Sequence, residues 1–235
     1  DRPVCGRVCC IGETIMIAAR SFSMLLAGAG AIALAGCSTG GPPPMAPRPA
    51  VFTALGLTAA YLNTDILQGY KARRAKMRAA KIRPLPPAEA AQYLRQTADE
   101  FRRQTAGTGI DVIDYGGGIL IRIPSTLTFN SGSSEIAPQI RGALHELART
   151  LRTHERTFVD VYAHSDSTGS TEGNAAISEK RAKAVANFLA NDGVAKARIA
   201  SKGLGESALL YNPDDDETKR AANRRVEIRL APYTG

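Results

Sequence analysis

The sequence is poor in aromatic side chains. Among its 235 residues there is no tryptophan, and aromatic residues together make up 6%. Proteins that bind sugars by stacking need exposed aromatic rings, so this scarcity argues against an aromatic sugar-binding platform. Apolar residues nevertheless amount to 44%, which is enough for a buried core in one or two domains.

Cysteine is also scarce, and it is confined to the first part of the chain. Cys5, Cys9 and Cys10 lie near the start, and Cys37 is the last cysteine. A structural metal site takes four ligands, and no histidine or further cysteine cluster completes a site around the first three. We therefore expect no metal and no cofactor, and a fold held by its core.

Recognisable catalytic motifs are missing as well. The sequence contains no GxSxG elbow and no histidine pair at metal-binding spacing. His164, Ser165 and Asp166 have the chemistry of a catalytic triad, but consecutive strand residues project to opposite faces and cannot form its hydrogen-bond chain. We do not expect an enzyme.

A stretch near the N-terminus has the pattern of a bacterial lipoprotein signal. Arg20 supplies a positive charge, Met24–Ala35 is an apolar core of 12 residues, and small residues lead into Cys37. This core is shorter than the roughly 18 residues that a membrane-spanning helix needs. We therefore expect residues 16–36 to be a signal peptide and Cys37 to be lipidated.

The expected mature chain begins with an anchor and a spacer. Residues 1–15 are interpreted as an over-extended reading frame, and Ser38 favours an outer-membrane address. Residues 37–50 include GGPPPMAPRPA, in which five of eleven residues are proline. Proline fixes φ and removes a donor, so we expect an extended spacer of about 3.1 Å per residue. The protein would be lipid-anchored in the outer membrane and face the periplasm.

Residues 51–106 are predicted to be a helical, basic segment. Leu55–Ile82 is rich in alanine, and Pro87–Thr105 has apolar residues at helical spacing. Two interpretations of its basic run stay open: a solvated helix face, or adhesion to anionic lipid headgroups or anionic groups of the cell wall. Nucleic acid is a poor partner for a secreted protein. The run contains no acid and consists of Lys71, Arg73, Arg74, Lys76, Arg78, Lys81 and Arg83.

Residues 107–235 alternate between strand and helix patterns, which indicates a two-layer α/β (α+β) sandwich. Ile110–Asp114 and Ile119–Ile123 flank a glycine-rich turn and predict a hairpin. A helix is predicted from near Glu135 and a second from near Gly173. Further strands are expected around Val159–Ala163, Ile199–Gly203 and Arg225–Leu230. The predicted buried stripes are Ile140, Leu144, Leu147 and Leu151 on the first helix, and Ile177, Val185, Phe188 and Leu189 on the second.

One stretch, Val159–Leu189, combines a buried strand, a polar loop and a long helix. Asp166 lies in the loop and Arg181 lies about two turns into the helix, so a carboxylate and a guanidinium face one cleft. A carboxylate attracts an ammonium, and arginine's planar fork binds a carboxylate, so this pair suits a zwitterion. The alternative is a salt bridge between Asp166 and Arg181 that closes the loop onto the helix.

Two separated blocks of this domain form a recognisable signature. The first consists of AHSDSTG, Asn174 and ISEKRA at residues 177–182, and the second is RAANRRVE at residues 220–227. They resemble GHTDxxG…YNxxLSxxRA and RxxNRRVE, the peptidoglycan-binding signature of the outer-membrane protein A (OmpA) C-terminal domain family. The resemblance implies a βαβαβ mixed sheet with helices on one face, preceded here by a helical segment.

The resemblance also implies the roles of the site residues. Asp166 would pair with the ammonium and Arg181 with the carboxylate of diaminopimelate in a peptidoglycan stem peptide. Asn174 and the backbone N–H groups after Ser165 would support them. Arg224 is a further candidate at the edge of the cleft.

Arg224 and Arg225 are expected to point to opposite faces because they are neighbours at a strand. One should line the cleft, and the other should reach solvent or pair with an acid such as Asp160 or Glu227. The function predicted from the sequence is an outer-membrane lipoprotein that tethers the membrane noncovalently to peptidoglycan. The alternative is an envelope-complex scaffold that binds protein partners through residues 51–106.

Overall fold

A five-stranded mixed β-sheet is the centre of residues 69–235, the part of the chain described by the computed structural model. Its strands are β1 (Asp111–Asp114), β2 (Ile119–Pro124), β3 (Thr157–His164), β4 (Ile199–Gly205) and β5 (Arg225–Pro232). The α-helices of this part are α1 (Tyr70–Ala79), α2 (Ala90–Gln104), α3 (Ser125–Thr128), α4 (Pro138–Thr153), α5 (Thr171–Asn191) and α6 (Glu217–Asn223).

The chain divides into two units, Asp1–Pro44 and Met45–Gly235, and every described residue belongs to the second. Several predicted features lie outside the described residues: the upstream residues 1–15, the signal peptide 16–36, Cys37 with the spacer 37–50, and residues 51–68 of the basic segment. Between residues 69 and 235, no helix combines the length and the apolar character needed to cross a membrane.

The sheet combines antiparallel neighbours with one parallel pair. Its strand order is β1-β2-β5-β3-β4, and all neighbours are antiparallel except β3 and β4. A parallel pair needs a long crossover, and α5 supplies it while packing against both strands. The prediction of a two-layer α/β fold with a mixed sheet is confirmed.

The main core lies between one face of the sheet and the helices α2, α4 and α5. Alternate residues of β3, namely Val159, Val161 and Ala163, point into it. The apolar stripe predicted on α4 is buried there in full. On α5, Val185 and Leu189 are buried as predicted, whereas Ile177 and Phe188 are only partly buried.

Small residues let α5 approach β4 closely. Ser178 is buried at this contact, where its Oγ accepts a hydrogen bond from the Gly205 N–H at 3.0 Å. A Cβ built on Gly203 would lie 2.1 Å from the backbone nitrogen of Glu179, so a side chain at this position is excluded. The buried face of α5 therefore includes the polar residues Asn174 and Ser178 beside its apolar ones.

Helix α4 begins at Pro138, so the predicted start near Glu135 is wrong. Ile136 instead forms an isolated antiparallel bridge with Phe129. The backbone N–H of Glu135 donates to Ser133 Oγ at 2.9 Å, which stabilises a turn before the helix. Proline suits the first helical position because its missing N–H would have no partner there.

The second face of the sheet carries α1 at one end. Met77 and Ile82 pack with Phe158 and Tyr233 in a separate buried cluster. Phe158 alternates with Val159 along β3 and therefore points away from the main core. The packing of part of the basic segment on this face of the sheet was not predicted from the sequence.

Arg73 fixes α1 to the sheet although it belongs to the basic run. Its Nη2 lies 2.6 Å from Asp160 Oδ1, and its Nη1 donates to the Arg198 carbonyl at 2.9 Å. The guanidinium lies 5.0 Å from the Tyr70 ring centroid and 5.1 Å from that of Phe158. Arg73 is 6% exposed, so both charges of the pair are removed from water.

We predict that Arg73→Ala strongly destabilises the protein, because it removes the cation that forms the salt bridge with the buried Asp160 carboxylate. Loss of one partner of a buried pair costs about 3–5 kcal/mol of unfolding free energy. Arg78→Ala on the same helix is the matched control, because this exposed side chain should change the free energy by less than about 0.5 kcal/mol. Urea unfolding of fragment Met45–Gly235 measures both. Equal effects would show that Asp160 does not depend on Arg73.

Candidate functional site

The site begins where β3 leaves the sheet. The backbone N–H of Ser165 still donates to the Gly205 carbonyl at 2.9 Å, which extends the β3–β4 pairing by one residue. Asp166 is the next residue and lies at the start of the loop that follows β3. Its Oδ1 accepts hydrogen bonds from Thr168 Oγ1 at 2.5 Å and from the Thr168 backbone N–H at 3.2 Å. The carboxylate thus closes a tight turn of its own loop.

Asn174 ties this loop to the first turn of α5. Its Nδ2 donates to the carbonyls of Asp166 at 3.2 Å and Thr168 at 3.0 Å, and to Glu206 Oε2 at 2.8 Å. Ser170 caps the helix by accepting a hydrogen bond from a backbone N–H of that turn. The Asn174 amide therefore orders the loop that carries Asp166.

Arg224 forms the ion pair with Asp166. Its Nη1 lies 2.5 Å from Asp166 Oδ2, and its Nη2 contacts the Glu217 carboxylate. Burial raises the pKa of Asp166, but the hydrogen bonds from Thr168 and Arg224 outweigh it and hold the pKa below its usual value. Asp166 is therefore an ionised carboxylate that is only 5% exposed.

Arg181 approaches the same place from α5. Its Nε donates to the Ser133 carbonyl at 3.0 Å, and its guanidinium lies 5.1 Å from the Phe129 ring centroid. Burial and the nearby charge of Arg224 lower the pKa of Arg181, and the charge of Asp166 opposes them. Within the described part of the chain, no hydrogen bond engages its Nη1 and Nη2. This leaves the terminal nitrogens for a carboxylate.

The structure therefore brings Asp166, Arg181, Asn174 and Arg224 together, with Ser165 at the base of the loop. Among the described side chains, Asp166 forms its salt bridge with Arg224 and not with Arg181. The alternative of an Asp166–Arg181 bridge that closes the loop is wrong for this reason. The Ser165 side chain is 4% exposed, and its Oγ makes no hydrogen bond within residues 69–235.

Asp214 is a structural residue of the site that the sequence did not reveal. It accepts hydrogen bonds from the Ser167 N–H at 3.0 Å and from the Ser167 hydroxyl, and from Asn223 Nδ2 at 2.9 Å. These donors lower the pKa of the Asp214 carboxyl to about 2. Asp214 belongs to the acidic loop before α6, and the acidic composition gave no indication that one residue in it faces inward.

Asn223 holds the same loop from the end of α6. Its Oδ1 accepts from the backbone N–H groups of Leu210 at 2.7 Å and Tyr211 at 3.1 Å. Its Nδ2 donates to the Tyr211 carbonyl at 3.0 Å and to Asp214. The side chain is fully buried with both amide atoms bonded, so it organises the loop around the site.

Arg224 and Arg225 diverge as expected for neighbours at a strand. Arg225 Nε donates to Glu227 Oε1 at 2.8 Å, and its terminal nitrogens donate to the carbonyls of Asn223 and Ala208, each at 3.0 Å. The acid that pairs with Arg225 is therefore Glu227. His164 Nε2 lies 3.6 Å from this carboxylate, and burial lowers the pKa of the His164 imidazole. The His164 imidazole therefore lies beside the Glu227 carboxylate.

The model of the OmpA family matches residues 128–224, which include all of these cleft residues. This stretch is therefore an OmpA family domain. The chain is 35% identical over 140 residues to Probable lipoprotein YiaD of Escherichia coli (strain K12). The matched stretch covers 60% of this chain and 64% of that relative. The chain is also 33% identical over 109 residues to the Peptidoglycan-associated lipoprotein of Pseudomonas putida. That matched stretch covers 46% of this chain and 64% of that protein.

A solved structure agrees with the fold. The cell wall anchor of the T6SS from Pseudomonas aeruginosa superposes with a TM-score of 0.51 and 27% identity, and covers 61% of this chain and 99% of that chain. The chain spans less than two thirds of the length of the two lipoprotein relatives. The similarity thus establishes the domain and its fold, and the role of the whole chain is inferred below.

We predict that Asp214 contributes a pH-dependent part of the stability. Its carboxyl has a pKa of about 2 in the folded state against a usual 3.8, so its contribution is complete above the usual value and is lost as pH falls toward 2. The measurement is urea unfolding of wild type and Asp214→Asn at a series of pH values. The difference between their unfolding free energies should be constant at neutral pH and shrink between about pH 4 and pH 2. A difference that does not change with pH would contradict the assignment.

Proposed function

We propose that the cleft binds the free, zwitterionic end of diaminopimelate in peptidoglycan stem peptides. Asp166 accepts hydrogen bonds from the ammonium, and Arg181 binds the carboxylate through its terminal nitrogens. Asn174 and the backbone at Ser165 keep the Asp166 loop in place. The observation that carries the proposal is one ionised carboxylate and one half-buried guanidinium at one end of the sheet. Hydrogen bonds from Thr168 and Arg224 position the carboxylate, and one hydrogen bond to the Ser133 carbonyl positions the guanidinium.

Arg224 has a separate part in this proposal. It neutralises Asp166 when no ligand is present, and its second contact with Glu217 keeps it nearby when an ammonium takes its place. The nearly buried Asp166 carboxylate thus has a cationic partner both with and without ligand. An unpaired buried charge would have a large free-energy cost. This is binding chemistry and requires no catalytic group.

We further propose that the chain is an outer-membrane lipoprotein that faces the periplasm and tethers the membrane to the cell wall. A lipid at Cys37 holds one end, and the cleft holds the other. Two relatives support this proposal through their names, one a lipoprotein and one a peptidoglycan-associated lipoprotein. The T6SS cell wall anchor supports the wall-facing role of the domain.

We predict that fragment Met45–Gly235 pellets with purified sacculi whose stem peptides contain diaminopimelate. Asp166→Ala and Arg181→Ala should each weaken this binding by about 2 kcal/mol or more, since each removes one charge that pairs with the ligand. Lys180→Ala is the matched control, because Lys180 is an exposed cation next to Arg181 on α5. Circular dichroism confirms that each variant is folded. The proposal fails if wild type stays in solution, or if folded Asp166 and Arg181 variants pellet as well as wild type.

A further inference from the structure

The basic helix α1 and the cleft lie at opposite ends of the sheet. Asp166 follows the end of β3, and Arg224 precedes the start of the antiparallel strand β5. Helix α1 instead packs on Phe158 at the start of β3 and on Tyr233 after the end of β5. Strand β3 has 8 residues, which is roughly 26 Å of extended chain, so the two surfaces are separated by the length of the sheet.

The cations of the basic run form two sets in the structure. Arg73 and Arg74 turn inward, where Arg73 pairs with Asp160 and Arg74 donates to the Thr234 carbonyl. The other five are exposed, and none of them forms a salt bridge within residues 69–235. We call these five the outer basic surface: Lys71, Lys76, Arg78, Lys81 and Arg83.

The outer basic surface belongs to a stretch of the chain that has no acidic residue of its own. No acid occurs between Gly69 and Glu89 in the sequence. Between its cations, α1 exposes only the small residues Ala72, Ala75 and Ala79, so the helix can approach a flat surface closely. Long Lys and Arg stems can then lie along that surface while their charged ends reach anionic groups.

We propose that the outer basic surface binds the anionic phospholipid headgroups of a membrane. Its cations are spread along a helix and the following loop and do not converge on a pocket, which fits an extended, fluid anionic layer better than one small anion. Of the described elements, α1 is also the nearest along the chain to Cys37. This inference rests on the proposed function in one respect: membrane contact at α1 points the cleft away from the membrane and toward the wall.

Vesicle sedimentation of fragment Met45–Gly235 tests the proposal. The fragment lacks Cys37 and contains both buried clusters, so it has no lipid and keeps its complete described core. Wild type should bind vesicles of phosphatidylethanolamine with phosphatidylglycerol, bind phosphatidylcholine vesicles poorly, and lose binding as salt increases. Equal binding to both vesicle types would overturn the proposal.

A triple variant, Lys71→Gln/Lys76→Gln/Arg78→Gln, locates the effect. Each cation near an anionic membrane contributes about a fivefold change in partitioning, so the variant should bind on the order of 100-fold more weakly. The control Arg95→Gln/Arg103→Gln/Lys183→Gln removes the same charge from exposed positions elsewhere and should retain vesicle binding. An equal loss in both variants would overturn the proposal, because net charge would then explain the binding.

A second assay separates this inference from the function of the cleft. Vesicles contain no peptidoglycan, so Asp166→Ala should bind them as wild type does, whatever it does with sacculi. The triple variant of the outer basic surface should in turn still pellet with sacculi. If it loses sacculus binding but keeps vesicle binding, the outer basic surface contacts the wall and the membrane proposal is wrong.

Discussion

The ionised state of Asp166 is the constraint on which the site depends. A nearly buried carboxylate keeps its charge only when donors surround it, and here the donors are Thr168 and Arg224. Thr168 is placed by the loop that Asn174 orders. Arg224 is placed by α6, whose last residue, Asn223, holds the facing loop. The loop that carries Asp166 and the loop before α6 meet where Asp214 accepts hydrogen bonds from Ser167. The donors of the Asp166 carboxylate therefore depend on the order of both loops.

Much of the fold could be predicted because its periodicities are strong. The alternation of β3 and the apolar stripe of α4 follow directly from the sequence, and the charged cleft residues follow from their motif. The start of α4 could not be predicted, because the bridge between Phe129 and Ile136 removes residues that are otherwise acceptable in a helix. Hydrophobic periodicity and helix propensity do not show that two short segments will pair in this way.

Partners that are distant in sequence account for the other differences. Arg73 and Arg78 lie in the same run and look equivalent, yet only Arg73 meets a buried carboxylate, that of Asp160. Asp214 resembles its acidic neighbours, and only the packing of its loop against Ser167 distinguishes it. Helices α1 and α2, which carry the described part of the segment named in the scaffold alternative, pack against the sheet in the two buried clusters.

The most direct test of the central claim is calorimetric titration of fragment Met45–Gly235 with two stem peptides. One contains diaminopimelate and the other contains lysine, which has the ammonium but lacks the carboxylate assigned to Arg181. Charge-assisted hydrogen bonds contribute about 1.5–3 kcal/mol, so the diaminopimelate peptide should bind roughly 10 to 100 times more tightly. Equal affinity for the two peptides would contradict recognition of a zwitterion by Asp166 and Arg181.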